Sequence, residues 1–452
     1  MIKDTRDSID FEHENIPRLF GGIFIPTLLG MVFNIAFILT DGIFIGNGVG
    51  SDGLACVNLI APLMMIFSGA GMMFAIGASV VGAIHLAQKN TKAARINITQ
   101  AFLTSSIIAI AISIVLYLIP NQIVHLLGTT ERLQPMCLEY YLWFIPTCLF
   151  TIIQTISTFI IRLDGSPRYA MLANIIPAIV NAMLDYTFIF VCRWGLMGAA
   201  FATDLGGFVG VMMVAFYMLH KTDKLKLYRL KANKLSLQLT LRNIGYMLRI
   251  GLSGFIGELA VASMMLAGNY MFLRYLGEDG VAAFSVICYL YPIVFMINNS
   301  VAQSAQPIIS YNHGARLAKR VRSSFVFSLA TAALCGICCI TLLGFGSEPI
   351  VSAFLQKGSQ PHIYAVNGLR LFVSGFIFFA INIAFIGYFQ SIERAATANI
   401  IMILRGVILV TICFIALPKL IGTNGLWLAV PCAELLSSLI IGGIVVGRKK
   451  VN

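Results

Sequence analysis

Charge is the scarcest commodity in this chain. Of its 452 residues only 11% are Asp, Glu, Lys or Arg, against about a quarter in an ordinary water-soluble domain. Acids are scarcer than bases, 19 against 31. So few charges cannot wrap a 49.3 kDa particle in a water-soluble surface. The phosphate loop G-x-x-x-x-G-K-S/T is missing, which excludes a nucleotide-driven motor built on that motif. None of the six His stands in a metal-ligand pattern, and Cys335-Gly-Ile-Cys338 has neither His nor acid beside it. The ten cysteines fall almost entirely inside apolar runs and read as small packing side chains, not as a disulfide framework. The start does not read as a cleavable leader. Its first 18 residues carry Lys3, Asp4, Arg6, Asp7, Asp10, Glu12, Glu14 and Arg18, and the apolar stretch from Leu19 is too long for a signal core.

What fills the chain is apolar surface: 58% hydrophobic residues and a mean hydropathy of +0.88. The apolar runs are long enough to cross about 30 Å of hydrocarbon, which takes roughly 20 helical residues. They are rich in Gly, Ala, Leu and Ile without strict alternation, which argues against a β-barrel. The reading is an all-α membrane protein of 12 transmembrane helices. The segments fall near 19–44, 54–84, 96–119, 136–161, 169–191 and 195–220, then 241–272, 281–309, 323–345, 364–391, 396–417 and 422–447.

Basic residues orient the spans. With both termini and every second turn on one side, that side collects 25 of the 31 Lys and Arg, Arg405 among them. The other keeps Arg132, Arg193, Arg274, Lys357, Arg370 and Lys419. Such a bias marks the 25-residue side as cytoplasmic. The net charge of +12 therefore reports topology and contact with anionic lipid, not nucleic acid.

The chain also repeats itself. Shifted by 227, Gly50-Ser51-Asp52-Gly53-Leu54-Ala55 falls on Gly277-Glu278-Asp279-Gly280-Val281-Ala282, Lys92 on Lys319 and Arg95 on Arg322. Arg168 to Asn174 resembles Arg394 to Asn399 with a small slip. Six spans per half make a parallel repeat, an arrangement common in secondary transporters. The division expected is an N-lobe over 1–220, a cytoplasmic linker over 221–240 and a C-lobe over 241–452.

Five acids lie inside apolar spans: Asp41, Asp185, Asp204, Glu258 and Glu434. A carboxylate there costs about 2.5–3.5 kcal/mol even on the lenient insertion scale, so it usually faces a polar cavity, and near the interface the cost is smaller. Asn181 and Asp185, four apart, share one helix face. Ionised, such a pair offers hard oxygens to Na⁺; protonated, the acid carries H⁺. Asp41, in Leu39-Thr40-Asp41-Gly42, and Thr203 add further oxygens. Asn181 also suits a hydrogen bond to a neighbouring helix, and Thr203 a bond to its own backbone. Asp204 stands either in a site or near an interface, and Glu434 in a site, at the interface or against a helix neighbour. Glu258, with no basic neighbour in sequence, is the candidate proton or substrate-cation site of the second half. Pro26 removes a backbone donor from the first span, as a hinge or a fixed kink. The many aromatic and sulfur side chains (32 Phe, 15 Tyr, 19 Met) suit a shape-tolerant cavity for bulky cations.

These residues resemble the multidrug and toxic compound extrusion family of antiporters, closest to its bacterial MepA-like or DinF-like branch. The resemblance spans the whole chain. It is carried by Thr40-Asp41-Gly42-Ile43-Phe44-Ile45-Gly46, Asp164-Gly165-Ser166-Pro167-Arg168, and Asn181 to Asp185 with Phe188-Ile189. Tyr311-Asn312-His313-Gly314-Ala315 and Gly425-Leu426-Trp427-Leu428-Ala429 complete it. It implies two lobes around a cavity that opens to alternate sides, and export of cationic or amphipathic compounds against H⁺ or Na⁺. It also implies a cation site, with Na⁺ as the metal, at Asp41, Asn181, Asp185 and Thr203, and an acid of the seventh span at Glu258. The tenth-span aspartate of another branch has no counterpart; Asn382 stands nearest. Gln88-Lys89 replaces a turn that usually contains glycine. The expectation is a monomeric secondary transporter in the bacterial inner membrane, with no cofactor beyond its coupling ion. A flippase for a lipid-linked precursor is the alternative, and its cavity would be basic. A membrane-embedded enzyme would need a catalytic cluster that the sequence does not offer.

Overall fold

The computed structural model describes residues 9–222, 224–230 and 233–449. The tail residues Lys3, Asp4, Arg6 and Asp7, the linker positions Asp223, Lys231 and Ala232, and Lys450 lie outside them. Among the described residues there is no strand.

In the first half the helices are α1 (Ile16–Gly48), α2 (Ser51–Ala87), α3 (Thr91–Leu118), α4 (Pro120–Leu126), α5 (Gln134–Leu163), α6 (Pro167–Asp185) and α7 (Gly195–Phe216). Wider π-turns extend α6 over Tyr186–Val191 and α7 over Tyr217–Lys221. Then come α8 (Lys234–Gly314), α9 (Ala318–Phe345), α10 (Ser347–Phe354), α11 (Gln360–Phe372), α12 (Phe376–Ser391), α13 (Ala395–Ile403), α14 (Val410–Ile421) and α15 (Asn424–Lys449). A π-turn over Leu404–Leu409 joins α13 to α14 as one span. Eleven of these rods are long and apolar enough to cross a bilayer. One of them, α8, has 81 residues and would stretch about 120 Å at 1.5 Å per residue. Gly277 breaks it with φ 65° and ψ −155°, a conformation open essentially to glycine alone. The rod is therefore long enough for two spans, and the described residues hold twelve candidate crossings.

Backbone geometry writes the repeat more plainly than side chains do. Eleven described residues have positive φ, and ten of them pair between the halves at shifts of 227 to 230: Gly50 with Gly277, Lys89 with Arg316, Gly128 with Gly358, Gly165 with Glu393, and Arg193 with Gly422. Each is a corner between consecutive rods. At Lys89 the turn keeps its left-handed residue without using glycine.

Prolines inside rods leave a carbonyl four residues back without its donor, and polar side chains take it up. Pro177 frees the Ala173 carbonyl, which accepts from Gln154 Nε2 at 2.9 Å. Pro146 frees that of Leu142, which accepts from Tyr117 OH at 2.9 Å.

The chain divides into two compact units. The first runs to Phe255 and takes back Ser310–Leu317; the second comprises Ile256–Ile309 and everything from Ala318. The division falls within α8 because the opening turns of that helix lie against α2. A Cβ on Gly77 would land on the Met247 carbonyl, and one on Gly251 on that of Met73, so backbone touches backbone there. Residues 224–230 are tied along α3, with Arg95 Nε donating to Lys224 O at 2.8 Å and Tyr228 N to Thr99 Oγ1 at 2.9 Å. The second unit packs around Phe272, stacked on Phe284 at 4.5 Å and met edge-on by Trp427 at 4.7 Å.

One expectation is corrected here. Cys56 at the head of α2 and Cys137 at the head of α5 form a disulfide, beside the Asp52–Arg132 ion pair at 2.8 Å. They stand at rod ends rather than deep within spans, where adjacent helices bring them together. The other eight cysteines are free.

Candidate functional site

Four rods of the first unit converge on one polar point. Near the end of α1 stands Asp41; α6 brings Asn181 and Asp185 to the same face one turn apart, and α7 brings Thr203 opposite. The fourth rod, α5, contributes Tyr140. Asp185 is fully buried and Asn181 nearly so, while Asp41 and Thr203 are half-buried.

The hydrogen bonds orient the group. Thr203 Oγ1 donates to the Ala199 carbonyl at 3.0 Å and accepts from Asn181 Nδ2 at 3.2 Å. With its amide nitrogen so engaged, Asn181 leaves its oxygen without a donor. Asp41 Oδ1 and both oxygens of Asp185 are also buried without one. The Asp41 and Asp185 carboxyls lie close enough to interact electrostatically, and two such neighbouring carboxylates favour sharing a proton or a cation. No Lys or Arg among the described residues pairs with either. Two carboxylates, a carboxamide oxygen and a hydroxyl form a hard all-oxygen set, suited to Na⁺ or to a proton and not to a soft metal.

The local chain is built to hold these oxygens. Gly206 lets α7 approach α6 so closely that a Cβ there would stand 2.8 Å from Asn181 Cβ. Directly after Asp185 the helix widens into its π-turn, a departure often found at functional sites. Aromatic rings surround this end: Phe44 meets Phe190 edge-on at 5.8 Å, and Phe188 stacks on Trp194 at 4.8 Å.

Asp41, Asn181, Asp185 and Thr203 thus come together. Pro26 does not join them: it is buried 15 residues earlier in α1, about 22 Å along the axis, and the helix runs through it unbroken. Glu258 lies half-buried in α8 within the second unit and makes no hydrogen bond or ion pair to a described residue.

Three neighbours escaped the reading of the sequence. Buried Tyr140 is within electrostatic reach of Asp41, Asp185 and Asp204. Thr147 donates its hydroxyl to Asp204, which is buried. Neither residue carries a sequence signal, since each meets its partner only through folding. The third is a correction. Arg405 does not belong to the cytoplasmic turns: it sits in the π-turn of the eleventh span, 2% exposed, with its Nη2 at 2.6 Å from Glu434 Oε1. An arginine in mid-span with an acid in the next span was the available signal.

Two repeated helical halves and a cluster of unpaired buried oxygens define a multi-pass membrane transporter. The comparisons give the family. The MatE family pattern matches this chain twice, over residues 26–187 and 255–415, so the two matches begin 229 residues apart and each takes one half. The chain belongs to the MatE family and is a transporter, not an enzyme. It is 20% identical over 430 residues to the multidrug export protein MepA of Staphylococcus saprophyticus, covering 95% of this chain and 93% of that one. To MepA of Staphylococcus aureus it is 22% identical over 435 residues, with the same coverage. Among solved structures it resembles a MOP superfamily transporter from Pyrococcus furiosus (TM-score 0.88, 19% identity, 98% of this chain and 97% of that one). It also resembles MATE structures in the straight conformation (TM-score 0.88, 19% identity, 98% and 97%) and the bent conformation (0.86, 18%, 97% and 96%).

Proposed function

We propose that this protein exports cationic or amphipathic organic compounds across a bacterial cytoplasmic membrane in exchange for H⁺ or Na⁺, by alternating access. The observation that carries the proposal is the donorless oxygen set of Asp41, Asn181 and Asp185. Buried oxygens of one charge sign with no resident partner are stable only if something positive visits them. A visiting cation and an exported compound are coupled when each prefers a different conformation, with no need for contact between them. One charge moving through about 100 mV supplies roughly 2.3 kcal/mol, enough to concentrate a neutral substrate about 40-fold.

The multidrug export proteins named above support the substrate class by kinship. Glu258, unpartnered in the second unit, would receive a cationic group of the substrate. With Arg405 withdrawn from the count, 24 of the remaining 30 basic residues still favour one side, which supports cytoplasmic termini.

The test is efflux of a fluorescent organic cation from vesicles under separately imposed Na⁺ and H⁺ gradients. Asp185→Asn, nearly isosteric, is expected to abolish gradient-driven efflux while leaving membrane insertion and yield intact. Full efflux by that variant at normal expression refutes the assignment.

A further inference from the structure

The repeat sets two acids in the same register. Gly195-Leu196 begins α7 and is followed by Ala199, Asp204 and Leu205; Gly425-Leu426 near the start of α15 is followed at the same spacing by Ala429, Glu434 and Leu435. Asp204 and Glu434 are therefore counterparts, 230 residues apart. Their surroundings differ in kind. Asp204 has the Thr147 hydroxyl as its donor and Tyr140 within electrostatic reach, and no described Lys or Arg pairs with it. Glu434 is enclosed by donors. Arg405 Nη2 and Nε reach its two oxygens at 2.6 and 2.9 Å, and Asn382 Nδ2 adds a third bond at 2.8 Å.

The shell around the pair is complete as well. Asn382 also donates to the Glu434 carbonyl at 2.9 Å, and its own oxygen accepts from Ser438 Oγ at 2.8 Å. The guanidinium lies 4.5 Å from the centre of the Phe379 ring and reaches Tyr291 OH at 3.5 Å. Arg405 and Tyr291 are the titratable groups that face Glu434; Asn382, Phe379 and Ser438 carry no charge. Both charged side chains are no more than 2% exposed. A desolvated ion pair seldom stabilises more than apolar residues of equal volume, so stability alone does not account for this one.

We propose that Arg405 is a tethered cation: it occupies Glu434, the counterpart of Asp204, permanently and so withdraws that acid from loading the coupling ion. A guanidinium cannot lose its proton in this range and cannot diffuse away. The acid it holds is consequently withdrawn from exchange, whereas the first unit keeps its acids open. The inference rests on Asp41 and Asp185 being the coupling site, and the experiment separates the two claims.

The purified full-length protein is melted with and without saturating Na⁺ at fixed pH, and across a pH series at fixed Na⁺. A bound ion raises Tm by mass action, so each loading site adds an increment. Wild type is expected to show an increment that Asp185→Asn removes. Glu434→Gln should lower the baseline Tm by stranding a buried guanidinium, yet leave the ion-induced increment at its wild-type size. Asp185→Asn combined with Arg405→Met should regain an increment at least half that of wild type, and adding Glu434→Gln should remove it again. A smaller increment in Glu434→Gln overturns the proposal, because the acid is then loading ions beside Arg405. So does a folded Asp185→Asn/Arg405→Met protein without any increment. If the Arg405 variants do not fold, the Glu434→Gln result decides alone. An increment that survives Asp185→Asn by itself sinks the coupling-site reading, and Arg405 is then judged by whether Arg405→Met adds an increment that Glu434→Gln removes.

Discussion

Replacing Gly206 by alanine tests the site through its scaffold rather than its charges. A Cβ at that position stands 2.8 Å from Asn181 Cβ and 3.1 Å from the Pro177 carbonyl oxygen, where ordinary contact begins at 3.4 Å. Asn181 must then retreat from α7 by about 0.6 Å. Thr203 belongs to α7, so the Asn181–Thr203 hydrogen bond, 3.2 Å long, stretches to about 3.8 Å and is lost. Overpacking of this kind costs about 1–3 kcal/mol of stability. Loss of one neutral hydrogen bond costs about 1 kcal/mol at the site, which is about fivefold in cation affinity. The control is the next residue. Gly207→Ala meets Phe150 Cβ at 2.9 Å, equal crowding on another face with no cation ligand beyond it. Both variants should melt lower than wild type. Only Gly206→Ala should raise, by about fivefold, the Na⁺ or H⁺ concentration giving half-maximal efflux in vesicles. Equal shifts for the two, or none for Gly206→Ala in folded protein, would show that Asn181 is not held in place as described.

Two further expectations concern the corners and the staple. The Cys56–Cys137 bond closes a stretch of 81 residues, which chain entropy values at about 4.5 kcal/mol at most, less in a bilayer that already confines the unfolded spans. Cys56→Ser and added reductant should lower Tm equally, and reductant should not affect the variant; a wild-type Tm unchanged on full reduction would refute this. Lys89→Gly relieves a left-handed residue costing roughly 1–2 kcal/mol against the extra freedom of unfolded glycine. The net is a rise in Tm worth about 0.5–1 kcal/mol, and a lower Tm would show that Lys89 holds the turn by its side chain.

The spans and their repeat were legible because hydrocarbon thickness imposes run length, and because Gly50 and Gly277 punctuate matching corners. Asn181 and Asp185 were legible as a pair because helical spacing alone puts them on one face. The reading of Arg405 as a turn residue failed for a physical reason. Topology by charge counting treats every arginine as solvated, and one paired within the bilayer defeats it. Thr147 and Tyr140 were illegible, since their partners lie 45 or more positions away. The disulfide was hidden likewise: cysteines at span ends resemble those within spans until neighbouring helices are known.

The paired left-handed corners carry a consequence for descent. Between the halves, lysine stands opposite arginine, glycine opposite glutamate, and arginine opposite glycine, while the bend itself persists at each place. A duplicated ancestor keeps its joints even at places where its side chains have drifted apart. The intervals between such joints are therefore a fingerprint of ancient doubling, readable in chains whose two halves no longer align by letter.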